Sequence, residues 1–438
     1  MGISRWFLVL AAALTFSVPV LAMDTVVWSV DTSRLTWAEL EALKQRPGIT
    51  DWAELGDRLL IVGDASVPEQ LRQALLRFEQ VEKLANLGGV SLVLSKYSGA
   101  QQLLAERGRT VVHEGPFFLI KPEPTAMNRL RKEEDHFFRI VPLASHAVVF
   151  RSAAHLAPVA AADPQLATIV DKLDRSSFET MLKKLIGFLT RYSYPAGILQ
   201  AADWALAQFK SFGLTARIDP YSSRGKQLPN VVAELKGSSR PDEIFVVGAH
   251  LDSIGYDSAT LAPGADDNGS GSAAVLEMAR VLAGRAPAAT IRFVLWSGEE
   301  QGLYGSSAFV KKLEKDGELS KVKAVINLDM VAFDPSAPLE VMLEGQQISH
   351  PLSDRLQAHA AAFAPNLQVN RTDNAWGSDH MPFLDRDVPA TLTIEFEYDN
   401  NGNEHSPRDV FDICNLDLAM AILRMDTGAL AELAGIEP

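Results

Sequence analysis

Ile244-Phe245-Val246-Val247-Gly248-Ala249-His250-Leu251-Asp252 is an apolar run that ends in an imidazole and a carboxylate. A short run of this kind, rich in β-branched and aromatic residues, is the pattern of a strand buried on both faces, and the spacing predicts a strand over Ile244 to Gly248. The same alternation continues outward. A helical pattern over Ser272 to Leu282 is followed by a strand over Thr290 to Trp296, a helix over Leu303 to Lys312 and a strand over Val322 to Leu328. Leu339 to Leu343 and Ala390 to Ile394 add strands, with helices near Ser353 to Phe363 and Leu416 to Leu433. Strands alternating with helices predict an α/β fold, with a mostly parallel or mixed central sheet and helices on both faces. In such sheets the site lies beyond the carboxyl ends of the strands.

The residues at those ends carry chemistry. His250 and Asp252 close the first strand, and Gly264-Ala265-Asp266-Asp267-Asn268-Gly269 follows shortly after. Ser297-Gly298-Glu299-Glu300 closes the second strand, Asn327-Leu328-Asp329 the third, and a late loop supplies Glu404-His405-Ser406-Pro407-Arg408-Asp409. Taken singly, His250 reads as a satisfied polar residue and Glu299-Glu300 as a helix start favoured by the dipole. Their joint occurrence at one sheet edge points to a metal site, because two imidazoles and three carboxylates can hold two zinc ions with one carboxylate bridging. His380 reads as a hydrogen-bonded or helix-start residue, and His350 and His359 as surface or helix-face residues.

With these motifs in this order, the chain resembles the co-catalytic zinc peptidases of family 28 of clan MH, of the bacterial leucine aminopeptidase type. The resemblance runs from about Ser176 to Asp409 and includes Phe188-Leu189-Thr190-Arg191-Tyr192-Ser193 and Ala202-Asp203-Trp204. It implies that His250 and Asp329 complete one zinc site, Glu300 and His405 the other, and that Asp267 bridges them. It implies further that Glu299 is the general base, that Asp252 holds the His250 ring, and that the Asp267-Asn268 peptide is cis. The implied substrate is a peptide with a free N-terminus. Two departures stand out: Asn374-Ala375-Trp376-Gly377 occupies the place where some secreted relatives have a disulfide before Ser378-Asp379-His380, and the polar loop 397–404 maps onto nothing in the family pattern. Carboxylates and carbonyls in that loop raise calcium as a minor alternative.

The rest of the chain sets the frame. Length of 438 residues predicts a large domain plus a smaller one. Residues 1–22 combine Arg5, an apolar run from Trp6 to Phe16 and the small-residue exit Val20-Leu21-Ala22, the pattern of a secretory signal peptide. Residues 23–152 read as an N-terminal accessory module of α/β or α+β type, with strands over Arg58 to Val62, Val90 to Leu94 and Phe117 to Ile120. Thr36 with Glu39, and Ser66 with Pro68 and Glu69, read as capping boxes opening helices. Glu133, Glu134, Asp135 and His136 read as a solvated face. Residues 153–165, rich in Ala and Pro, read as a linker, and 166–438 as the catalytic domain. A net charge of -14 without a basic block argues against nucleic acid or an anionic membrane as partner. Cys414 is the one cysteine and reads as a buried, inert thiol. Three rivals remain at this stage: a glutaminyl cyclase-type zinc acyltransferase of the same fold, a carboxypeptidase, and a metal-free binding module. No arginine cluster lies near the motifs to grip a terminal carboxylate, and no ligand or base has been lost.

Overall fold

The computed structural model describes residues 25–81, 84–95, 104, 108–122, 138–194, 196–335, 337–396 and 398–437. The expected signal peptide, the acidic run Glu133 to Asp135 with His136, and Glu397 lie outside the described residues. In the N-terminal part the strands are β1 (Val26–Asp31), β2 (Ile49–Leu55), β3 (Arg58–Gly63), β4 (Phe78–Gln80), β5 (Ser91–Ser95), β6 (Gly108–Glu114), β7 (Phe117–Pro122), β8 (Phe138–Pro142) and β9 (Ala147–Phe150). They form a five-stranded sheet in the order β4-β1-β3-β2-β9 and a four-stranded sheet in the order β6-β7-β5-β8. The Thr36 capping box is present. The one expected at Ser66 is not: its hydroxyl is drawn to Asp64 Oδ1 at 2.5 Å, and Glu69 turns to Arg72 and Gln73 instead of the cap.

An eight-stranded sheet organises the remainder. Its strands are β10 (Thr215–Ser223), β11 (Lys226–Leu235), β12 (Arg240–His250), β13 (Ala289–Trp296), β14 (Val322–Leu328), β15 (Leu339–Glu344), β16 (Leu367–Thr372) and β17 (Ala390–Glu395), in the order β10-β11-β13-β12-β14-β17-β15-β16. The central strands β13, β12, β14 and β17 run parallel, and antiparallel pairings join β10, β11 and β15 to them. The sheet is therefore mixed. Every strand read from the sequence in this part is found, and the hairpin β10–β11 and strand β16 are additions to that reading. Pro220 and Pro229 face each other across the hairpin and obscure it as strand. Pro220 is tolerated because β10 is an edge strand, and Pro229 because β11 meets β13 only from Val231 onward.

Alternate side chains explain why both faces are covered. Val231, Phe245, Val247, Ile291, Phe293 and Leu295 enter one core with helices Arg175–Ile186, Ala196–Ser211, Gly271–Leu282, His350–Phe363 and Leu416–Ala434. Val232, Ile244, Val246, Val294 and Trp296 point the other way, against helix Tyr304–Lys315. Gly248 has no substitute on β12, since a Cβ there would lie 2.3 Å from the Trp296 ring. Among the described residues no helix covers the far half of that second face. There Met342, Leu392, Ile394 and Phe396 share a core with Val27, Leu60, Leu92, Phe117 and Phe150 of the N-terminal sheets. Each such side chain contributes about 1.5–3 kcal/mol by leaving water. Residues 153–165 run along helix His350–Phe363, with Ala157 and Ala160 carbonyls accepting from Gln357 and Arg355, and His155 is buried with its ring nitrogens on the Gly56 and Thr32 carbonyls. Among the described residues no helix is long and apolar enough to cross a membrane.

One buried acid sits in this core away from the sheet edge. Asp426, on the inner face of the last helix, accepts from Thr393 Oγ1 at 3.4 Å, while its Oδ2 has no hydrogen-bond partner among the described residues. Burial pushes its carboxyl well above the usual range. The folded state thus keeps a proton that the unfolded chain releases above about pH 4, so its contribution to stability is complete at low pH and falls as pH rises. Asp426→Asn removes the ionisation. Thermal unfolding of this variant and the wild type, compared between pH 5 and pH 8, is expected to show a Tm gain that grows with pH.

Candidate metal centre

Five side chains converge where β12, β13 and β14 end. His250, the last residue of β12, places Nε2 3.1 Å from Asp329 Oδ1 and 3.2 Å from Asp267 Oδ1. The other oxygen of Asp267 lies 2.9 Å from His405 Nε2, which is also 3.1 Å from Glu300 Oε2. One carboxylate therefore stands between two imidazoles, each with a second carboxylate of its own. Ligand atoms of His250, Asp267 and Glu300 all lie within 4.8 Å of one another. Glu300 Oε1 is buried without a hydrogen-bond partner among the described residues. His250 and Asp267 are buried, whereas the His405 side chain is 47% exposed and forms the rim.

Local structure aims each donor. His250 Nδ1 is 3.1 Å from the main-chain oxygen of Asp252 and 3.7 Å from its carboxylate, so the ring is turned chiefly by a carbonyl. That carbonyl fixes the proton on Nδ1 and leaves the Nε2 lone pair for a metal. The Asp252 carboxylate accepts from Ser193 Oγ and from the Glu299 N–H, which ties the base candidate to β12. Asp329 Oδ2 accepts from Ser378 Oγ at 2.6 Å, and Ser378 in turn accepts from Asn327. Both oxygens of Asp409 accept main-chain N–H groups, of Asp266 and Asp267, and the Asp267-Asn268 peptide is cis. Asp266 points away: it accepts from the Ala332 N–H and the Asn401 amide, beside Glu395. His380 is buried at the start of the short helix Met381–Leu384, His350 pairs with Asp373 at the surface, and His359 is buried against Glu432.

Arg191 was not given a role by sequence reasoning, and it holds the loop between the first two motifs. Its fully buried guanidinium donates to the carbonyls of Leu251, Pro263 and Gly264 at 2.6–2.8 Å, and to Leu185 at 3.3 Å. Burial draws its pKa down to about 10, against the pull of Asp409 and Asp252. Nothing local in Thr190-Arg191-Tyr192 marks this function, because three of the four carbonyls it gathers, those of Leu251, Pro263 and Gly264, lie more than fifty residues further on.

Charge is the dominant feature. Burial pushes Glu299 well above the ordinary carboxylate range, and burial together with Asp267 raises Glu300 to about 7. Burial works against ionisation of Asp267 too, yet the His250 and His405 hydrogen bonds outweigh it and hold its pKa low. Burial disfavours the charged His250, but Asp329 and Glu299 override that and raise it. Three carboxylates and two imidazoles with Nε2 directed inward, plus a buried carboxylate oxygen lacking a donor, make a set that divalent zinc satisfies. Cys414 stays out of this chemistry, its thiol pushed up by burial.

The model of peptidase family M28 matches residues 230–427. A probable leucine aminopeptidase of Arthroderma otae is 30% identical over 284 residues, covering 61% of this chain and 75% of that protein. The chain belongs to peptidase family M28. Among solved structures, the LapA aminopeptidase of Legionella pneumophila superposes with a TM-score of 0.56 at 21% identity, over 78% of this chain and 98% of that one. The glutaminyl cyclase of Porphyromonas gingivalis shares the fold at 0.51 and 22%, over 60% and 99%. These two likenesses concern the fold of the M28 peptidase.

The Arg191 clamp yields a test. Arg191→Lys keeps the charge but cannot reach several carbonyls at once, and each buried carbonyl left without a donor costs about 1–3 kcal/mol. We expect a Tm lower by several degrees and faster proteolytic cleavage within 252–263. An unchanged Tm and cleavage pattern would contradict the clamp.

Proposed function

We propose that this M28 enzyme removes amino acids from the free N-terminus of peptides by hydrolysis, with two zinc ions held at the sheet edge and Glu299 as general base. The chain is a zinc-dependent aminopeptidase. The observation that carries the two-metal reading is the Asp267 carboxylate, with one oxygen at His250 and the other at His405. His250 and Asp329 would hold one ion, Glu300 and His405 the other, and Asp267 both. When bound, the zinc pair supplies a water of lowered pKa and polarises the scissile carbonyl. Glu299 takes the proton from the attacking water and passes it to the leaving amine. Its carboxyl is raised by burial and its main-chain N–H is anchored on Asp252, which suits it to both steps. The carboxylates of the site, with Glu404 beside them, suit the α-ammonium group of a substrate.

A complete second set, Glu300 with His405, favours hydrolysis over the one-metal cyclase alternative, and the intact ligands and Glu299 speak against a metal-free binding module. We further propose export through residues 1–22, with removal of that segment, and a division of the mature chain at 153–165. In this division residues 23–152 buttress the sheet without supplying ligands: Thr372 Oγ1 and Asn374 Nδ2 donate to the Val149 carbonyl just ahead of Ser378. That contact stands at the place where the family resemblance implies a disulfide in some secreted members. A fragment of residues 166–438 is expected to bind zinc but to unfold at lower temperature, with Met342, Leu392 and Ile394 uncovered. A fragment as stable as the whole chain would contradict the buttress.

The adjacent glutamates provide the sharper test. Glu299→Gln keeps shape and removes the base, so kcat should fall about 10²- to 10⁴-fold while both metals stay bound. Glu300→Gln replaces an anionic ligand by an amide, so zinc content should fall towards one per chain, with partial rescue by added zinc. Metal loss in Glu299→Gln with full occupancy in Glu300→Gln reverses the roles.

A further inference from the structure

Two cations at the mouth of the site have no part in the chemistry above. β10 and β11 turn over at Ser223 to Lys226, with Arg224 at φ +46° and Gly225 at φ +75°. The antiparallel register of β11 on β13, Val231 opposite Leu295, carries the segment from Val231 back to Lys226 past the carboxyl end of β13. The hairpin tip therefore stands on the same edge as Gly298 and Glu299. Tyr221 pins it there by donating its hydroxyl to the Ser297 carbonyl at 2.6 Å. Tyr304, whose N–H donates to the Gly298 carbonyl at 2.9 Å, has its phenol beside Arg224.

Both cations are held but not neutralised. The Arg224 guanidinium lies 5.6 Å and the Lys226 ammonium 5.8 Å from the centre of the Tyr194 ring, and Lys226 also donates to the Tyr194 carbonyl at 3.1 Å. Among the described residues neither has a carboxylate within 4.0 Å, whereas Arg217 on the same hairpin pairs with Asp219 at 2.8 Å. In a chain of net charge -14, two adjacent exposed cations without a carboxylate partner mark a place for an anion that the protein does not itself provide. The sequence shows no arginine cluster near the motifs, because these two cations lie on a hairpin that only the fold brings to the sheet edge.

We propose that Arg224 and Lys226 bind a carboxylate carried by the leaving part of the peptide. This rests on the aminopeptidase reading: Glu299 hands its proton to the leaving amine, so the rest of the substrate departs on the side of Gly298, Tyr304 and the hairpin tip. The carboxylate is either the C-terminus of a short peptide or an acidic side chain. Tyr194 restrains both cations through its ring, which reduces the ordering cost of binding.

The test compares kcat/KM for leucyl-glycyl-glycine as free acid, the same peptide as C-terminal amide, and leucyl-glycyl-glutamate with its α-carboxyl amidated. Zinc-loaded wild-type enzyme and the Arg224→Gln/Lys226→Gln double variant are measured at low and high salt. In the wild type, one or both carboxylate-bearing peptides should exceed the uncharged amide by about twofold to fivefold at low salt, the range of exposed charge pairs, with the advantage falling at high salt. The free acid alone exceeding the amide assigns the site to chain termini; the glutamyl peptide alone assigns it to side chains. In the double variant the ratio should fall to about one. Equal rates for all three peptides in the wild type, or a ratio that survives the double substitution, would overturn the proposal. Hydrolysis of the uncharged amide by the wild type tests the aminopeptidase reading separately.

Discussion

The arrangement of this molecule depends on one electrostatic constraint: the Asp267 carboxylate is wedged between two imidazoles, with Asp329, Glu300 and Glu299 close by. Without added positive charge, burial drives Glu299 and Glu300 towards their protonated forms. Arg191 offers a buried permanent charge, but its hydrogen bonds go to carbonyls of the loop and not to the carboxylates. Divalent cations resolve the conflict by matching carboxylates and neutral imidazoles together. The rest of the sheet edge can be understood as the framework that keeps these groups in place when mutual repulsion would separate them.

That framework is made largely of main-chain contacts. Asp409 receives the N–H groups of Asp266 and Asp267, Asp252 receives that of Glu299, and Asn268 links the start of helix Gly271–Leu282 to Leu328 and Met330 at the end of β14. Such bonds position a side chain through its own backbone, which limits how far it can move when charge is added or removed. Parallel strands β12, β13 and β14 deliver donors to one edge, and the N-terminal sheets cover the far half of the second face. The N-terminal sheets and the eight-stranded sheet are consequently joined by a common core.

Much of the catalytic fold could be read from the sequence because its central strands are fully buried and short, and their apolar runs end at polar residues. His250, Glu299-Glu300 and Asp329 stood out as abrupt ends to such runs. The hairpin β10–β11 was hidden by Pro220 and Pro229 and by the half-exposed pattern of an edge strand. Ser66 misled because a serine followed by an acid three residues later fits a capping box, whereas Asp64 competes for the hydroxyl. Arg191 and the Arg224–Lys226 pair could not be read at all, since what they do is set by carbonyls and ring faces brought together only by the fold. The choice of Asp267 over Asp266 rests on family resemblance; in the fold, Asp266 accepts from the Ala332 N–H and the Asn401 amide.

The most direct measurement is a crystal structure of the zinc-loaded protein with anomalous data collected on both sides of the zinc absorption edge. The account predicts two anomalous peaks, one bounded by His250 and Asp329 and one by Glu300 and His405, with Asp267 contributing an oxygen to each. A single peak, or two peaks with Asp267 bound to only one, would contradict it.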